Sequence, residues 1–122
     1  MKQISESEML HRAAAYCSAS ERCIQDVEKK IKAAGLAGEE SDRIVSRLLQ
    51  ERFIDESRFA RYFVNDKLRF NKWGRVKINY EMQRKGIPSS IRSEALEGID
   101  EQEYRSILLS LLKSKKKVTR GK

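Results

Sequence analysis

Ile54-Asp55-Glu56-Ser57-Arg58-Phe59 is one of three stretches that open alike, with Ile4-Ser5-Glu6-Ser7-Glu8-Met9 before it and Ile99-Asp100-Glu101-Gln102-Glu103-Tyr104 after it. Each sets an apolar residue before a Ser or Asp, then a Glu, two polar positions and a large apolar side chain. That order is a helix start: Ser5, Asp55 and Asp100 read as N-caps, and Glu8 and Glu103 stand where a capping box closes. The starts lie 50 and then 45 residues apart. The segments downstream of the first two starts repeat as well. Ile24, Val27, Ile31 and Ala34 lead to Gly35-Leu36, as Ile78 and Met82 lead to Gly86-Ile87, with glycine in the position of a helix C-cap. Ile44, Leu48 and Leu49 are then mirrored by Ile91, Ala95 and Leu96, with Pro88 at a helix start.

The pattern predicts helices at about 6–17, 20–34, 40–52, 55–71, 74–85, 89–97 and 101–116, so each unit is three helices. The fold expected is all-α: tandem three-helix, helix-turn-helix-like repeats in an elongated stack that can curve, with the third repeat truncated. The units expected are 1–53, 54–99, and 100–122, the last being one helix plus a basic tail. Six Gly and one Pro in 122 residues are too few for a sandwich or barrel. In the seventh helix Tyr104, Ile107, Leu108, Leu111 and Leu112 form an apolar stripe. It must lie on the second unit, on another chain, or on further residues.

The 26 Lys and Arg exceed the 18 Asp and Glu, a net charge of +8 that favours an acidic partner. Residues 1–50 hold 8 of each sign, and residues 51–122 hold 18 basic and 10 acidic groups, so the whole excess lies after residue 50. Residues 58–86 carry nine cations and two acids, and residues 113–122 carry six cations and no acid. In the fourth helix Arg58, Arg61, Asn65, Arg69 and Lys72 fall within about 60° of one another, with Phe59, Phe63 and Phe70 opposite. Arg75, Lys77 and Arg84 extend the basic surface onto the fifth helix. Such a stripe follows a polyanion or docks into an acidic groove, or it is a solvated face; the absence of compensating acids on it favours a function. The tail with Lys113, Lys115, Lys116 and Lys117 is either a hydrated terminus or a phosphate-binding arm. Trp73-Gly74 reads as a corner in which the indole covers the junction and the glycine permits the turn, base stacking by Trp73 being the alternative.

Other chemistries find little support. Cys17 and Cys23, with His11 as the one histidine, build neither a disulfide framework nor a zinc site. They read as core or boundary thiols, and His11 as an ordinary surface or partly buried residue. Glu39, Glu40 and Asp42 read as favourable charge in a helix's first turn. No phosphate loop, catalytic triad or HExxH pattern occurs, so neither an enzyme, a cofactor nor a metal is expected. No apolar run suits an export signal or a membrane span, and a cytoplasmic location is expected.

Phe53-Ile54-Asp55-Glu56-Ser57-Arg58-Phe59-Ala60-Arg61-Tyr62, continued through Lys72-Trp73-Gly74, Ile78, Glu81-Met82 and Lys85-Gly86-Ile87, resembles the RecX family of RecA regulators. Asp55, Arg58, Phe59, Ala60, Tyr62, Gly74, Ile78, Glu81, Gly86 and Ile87 match that family's pattern, with Met82 replacing a Leu. The resemblance implies tandem three-helix repeats. It also implies a non-enzymatic modulator that lodges in the groove of the RecA filament on DNA and limits its growth, ATP turnover, strand exchange and coprotease activity. Two departures stand out. The second helix of the first unit opens Ser20-Glu21 where the family commonly has a basic start, and the family usually completes a third unit. A stand-alone basic DNA-binding module is the other reading, opposed by cations that run along a whole helix rather than gathering at the N-terminus of a recognition helix. An α-solenoid adaptor fits the period but has fewer than three full units.

Overall fold

The structure, a computed structural model, describes residues 4–120, and side chains as far as residue 113. Seven helices run in chain order: α1 (Glu6–Ala19), α2 (Ile24–Ala33), α3 (Gly38–Gln50), α4 (Glu56–Arg69), α5 (Arg75–Arg84), α6 (Ser89–Glu97) and α7 (Glu101–Arg120). No strand occurs among the described residues, and the fold is all-α. At Ser5 the expected capping box forms, with Glu8 N–H donating to Ser5 Oγ at 3.1 Å and Ser5 N–H to Glu8 Oε1 at 3.3 Å. Asp55 accepts the Arg58 N–H at 3.0 Å, and Asp100 accepts those of Gln102 and Glu103 at 2.8 and 3.2 Å. Glu103 does not turn back toward its cap as the sequence suggested; its carboxylate lies 2.7 Å from Arg69 Nε. Gly35 (φ 95°) and Gly86 (φ 81°) end α2 and α5 in the left-handed region that glycine adopts without steric cost.

Two helical triplets each enclose a core. Met9, Ala13, Cys17, Val27, Ile31, Leu36, Ile44, Val45, Leu48 and Ile54 are buried together among α1, α2 and α3. Phe59, Ala60, Phe63, Val64, Leu68, Ile78, Met82, Ile87, Ala95, Ile99 and Ile107 fill the other, joined by Cys23. Ile54, which precedes α4, packs into the first core, and Cys23, which precedes α2, packs into the second. The triplets therefore interlock, each contributing a side chain to its neighbour.

Two boundaries moved for physical reasons. Helix α2 starts at Ile24 rather than near Ser20, because Cys23 is extended and its N–H is held by the Asp26 carboxylate at 3.2 Å. Helix α4 ends at Arg69, so Lys72 (φ 60°) lies in the turn and not on the basic stripe. Phe70, expected on the buried face, is the C-cap and 80% exposed. The stripe of α7 lies on the second triplet: Ile107 is buried there and Tyr104 packs against the same core, while Leu112 is exposed.

Candidate functional site

Cations were expected on α4 and α5, and the fold sorts them into two groups. Arg58 belongs to the seam between the triplets. Its Nε lies 2.7 Å from Glu21 Oε2, and its Nη2 donates to the carbonyls of Arg52 and Phe53 at 3.2 and 3.3 Å. Arg69 meets Glu103, whose carboxylate raises the guanidinium pKa, and Arg75 meets Glu101. Arg84 lies 3.5 Å from Glu81. The acids absent from the stripe of α4 thus arrive from the α1–α2 turn and from α7. A helical wheel drawn for one helix cannot show them.

Arg61, Lys72, Lys77 and Lys113 are exposed and enter no ion pair among the described residues. Lys77 Nζ stands 4.5 Å from the Trp73 ring centroid, and Lys67 Nζ stands 5.2 Å from it. Trp73 is half-buried, meets Phe63 edge-on at 6.2 Å between centroids and covers the second core. That is the corner role. Gly74, however, is extended (φ −81°) and does not make the turn. Tyr104 stands beside it: its Oη would be in ordinary contact, 3.4 Å, with a Cβ at Gly74, and it accepts the Arg75 N–H at 3.1 Å. The Arg75 guanidinium lies over the Tyr104 ring at 4.2 Å. Lys115, Lys116 and Lys117 lie outside the residues whose side chains are described.

Among the motif residues, Phe59, Ala60, Ile78, Met82 and Ile87 are core, while Tyr62 is exposed. His11 is exposed and bonds the Ser7 carbonyl through Nδ1 at 3.0 Å. Glu39 and Glu40 sit in the first turn of α3. Burial pushes the Cys23 thiol up to about 11 and raises Cys17 as well, so neither is poised as a nucleophile.

Sequence reasoning missed the seam. The Ile24 N–H donates to Glu56 Oε2 at 3.0 Å, Lys85 Nζ to Asp26 Oδ1 at 3.0 Å, and Gln25 Nε2 to the Arg84 carbonyl at 3.2 Å. Burial raises the Glu56 carboxyl above its ordinary range. For Asp26 burial acts the same way, but the Lys85 ammonium and the Cys23 N–H outweigh it and hold the acid below its usual value. Opposite charges some 30 to 60 residues apart were the one available signal, and sequence spacing alone cannot pair them.

An all-α stack of three-helix repeats, with paired cations in the seams and unpaired ones on the second repeat, is the class of protein that this fold defines. Residues 55–96 match the family model described as RecX, second three-helix domain. The chain is 33% identical over 91 residues to the regulatory protein RecX of Prosthecochloris aestuarii, covering 75% of this chain and 60% of that one. It is 26% identical over 113 residues to that of Lactobacillus johnsonii, covering 93% and 42%. The fold superposes on the crystal structure of RecX from Lactobacillus salivarius with a TM-score of 0.79 at 20% identity, over 89% of this chain and 71% of that one. A second crystal structure of a regulatory protein RecX gives 0.81 at 21% identity, over 96% and 60%. The chain belongs to the RecX family. It spans about half the length of the two relatives aligned by sequence, which are regulatory proteins by name.

Proposed function

We propose that this chain is a non-enzymatic regulator that binds a RecA-type recombinase filament on DNA and restrains its recombination, ATPase and coprotease activities. Family membership supports the partner. The observation that carries the reading is the outward charge of the second repeat, where Arg61, Lys72 and Lys77 are exposed without an acid among the described residues. Cations left unpaired by the fold keep their charge for phosphates or for carboxylates of a nucleoprotein surface, and contacts to phosphate make affinity fall with salt. Arg58, Arg69 and Arg75 hold repeats and helices together, so in this reading they act by shaping the surface. A cytoplasmic location fits such a partner, and among the described residues no helix is long and apolar enough to cross a membrane.

The test is co-sedimentation with RecA filaments on single-stranded DNA, with filament ATPase measured in parallel and naked DNA titrated over a salt series. Filament association with reduced ATP turnover supports the reading. Sequence-selective duplex binding without filament association would replace it by a stand-alone DNA-binding module.

A further inference from the structure

Helix α5 carries apolar side chains on two opposite faces. Ile78 and Met82 point into the second core and are fully buried, whereas Val76 is 86% exposed and Tyr80 is 57% exposed. In the first repeat the equivalent positions are polar, and one of them, Gln25, is half-buried in the seam, where its Nε2 donates to the Arg84 carbonyl at 3.2 Å. Aligning Val27, Ile31 and Gly35 of the α2 segment with Ile78, Met82 and Gly86 places Gln25 opposite Val76 and Lys29 opposite Tyr80. The same helix of the same fold therefore forms with polar residues at both positions.

The outer residues lie at i, i+4 and i+8: Val76, Tyr80 and Arg84 make one ridge about 12 Å long at 1.5 Å per residue. The Arg84 guanidinium stands 6.0 Å from the Tyr80 ring centroid, and Lys77 is exposed beside the ridge. Glu81, the acid of this helix, is half-buried and lies 3.5 Å from the Arg84 guanidinium, which stays largely exposed, while Lys77 enters no ion pair among the described residues. An exposed aromatic and an exposed aliphatic side chain bordered by cations have the composition of a binding anchor: tyrosine and arginine are enriched where interfaces concentrate their energy, and helices dock through i and i+4 apolar residues.

We propose that the outer face of α5 is a protein-docking surface whose occupant is a folded partner offering an apolar pocket to Tyr80 and Val76, rimmed by carboxylates that meet Lys77 and Arg84. Charge complementarity fixes the sign of the rim. Val76 decides between a protein and a nucleic acid, since it is the more exposed of the pair and has no π face on which a base could stack. The inference rests on the filament reading above and identifies the face that meets the protein part of that filament.

The test compares the full chain with the Val76→Ser/Tyr80→Ala double variant and with Lys77→Glu, using RecA filaments on single-stranded DNA and, separately, the naked strand as probes. Both variants should keep wild-type helicity and cooperative unfolding, because the altered side chains lie outside the core. The double variant should lose about tenfold or more in filament affinity while its affinity for naked DNA stays within about twofold. Lys77→Glu should lose about threefold on the filament with the apolar pair intact. Full filament affinity in the double variant overturns this inference and leaves the filament reading standing. Parallel loss on filament and naked strand also overturns it, in favour of a nucleic-acid surface. A wild-type chain that ignores the filament overturns both.

Discussion

The two repeats share a scaffold and differ in what surrounds it. Val27, Ile31 and Leu36 of the first match Ile78, Met82 and Ile87 of the second, all buried. The polar positions at the helix start do not match. Glu21 and Asp26 flank the beginning of α2, and the corresponding positions before and within α5 are Lys72 and Lys77. In the first repeat those acids are consumed in holding its neighbour, Glu21 by Arg58 and Asp26 by Lys85. In the second the cations at the same positions face outward. Burial fixes the apolar pattern, while the polar positions at the helix start pair across the seam in the first repeat and stay exposed in the second. The neutral first repeat and the basic second are the same design used at different places.

The largest expected effects lie in the cores. Met82→Ala should cost about 2–5 kcal/mol in urea unfolding, as should Ile31→Ala in the first repeat. Because Cys23 and Ile54 interlock the triplets, both variants should unfold in one transition. A separate transition for each repeat would break the picture of a shared seam.

Seam variants come next. Lys85→Ala removes the partner of Asp26, and half-buried groups of this kind should cost about 1–2 kcal/mol. The pH dependence separates the seam acids by sign. The folded pKa of Asp26 is depressed, so its contribution is present above its unfolded value of about 3.9 and is lost as pH falls through the lower folded value. For Glu56 the folded pKa is raised, so its contribution is present below its unfolded value of about 4.3 and is lost as pH rises through the folded one. Glu56→Gln, which keeps an acceptor for the Ile24 N–H, should therefore stabilise the chain by a few tenths to about 1 kcal/mol at pH 7. That gain should shrink at about pH 4. Unfolding curves at the two values check the sign, and a variant less stable at neutral pH would contradict it.

A smaller effect sharpens the comparison at the second edge. Tyr104→Phe keeps the ring over the core but removes the acceptor for the Arg75 N–H, and should cost about 1 kcal/mol. Amide exchange should quicken at the start of α5 and remain unchanged at the start of α2, whose N–H is held by Glu56.

Much of the fold was legible because helix starts and glycine stops are local. Ser5, Asp55, Gly35 and Gly86 act within four residues of themselves, and the matching Val27 and Ile78 faces arise from periodicity alone. The cations were legible as residues but not as a surface. Arg58, Arg69 and Arg75 share a sequence neighbourhood with Arg61, Lys72 and Lys77, yet long-range partners remove the first three and spare the others. Gly74 differs from its reading for the same reason: its backbone is extended, and what stands over it is Tyr104, thirty residues on.

The comparison of repeats is tested most directly by moving equal charge from each and measuring filament affinity. Lys72→Gln/Lys77→Gln in the second repeat and Lys29→Gln/Lys32→Gln in the first remove the same two cations from exposed positions. The account predicts that the second-repeat variant loses about tenfold in co-sedimentation with RecA filaments on single-stranded DNA while the first-repeat variant loses less than about twofold. Equal losses would contradict it, returning the charge of the chain to a diffuse attraction with no preferred face.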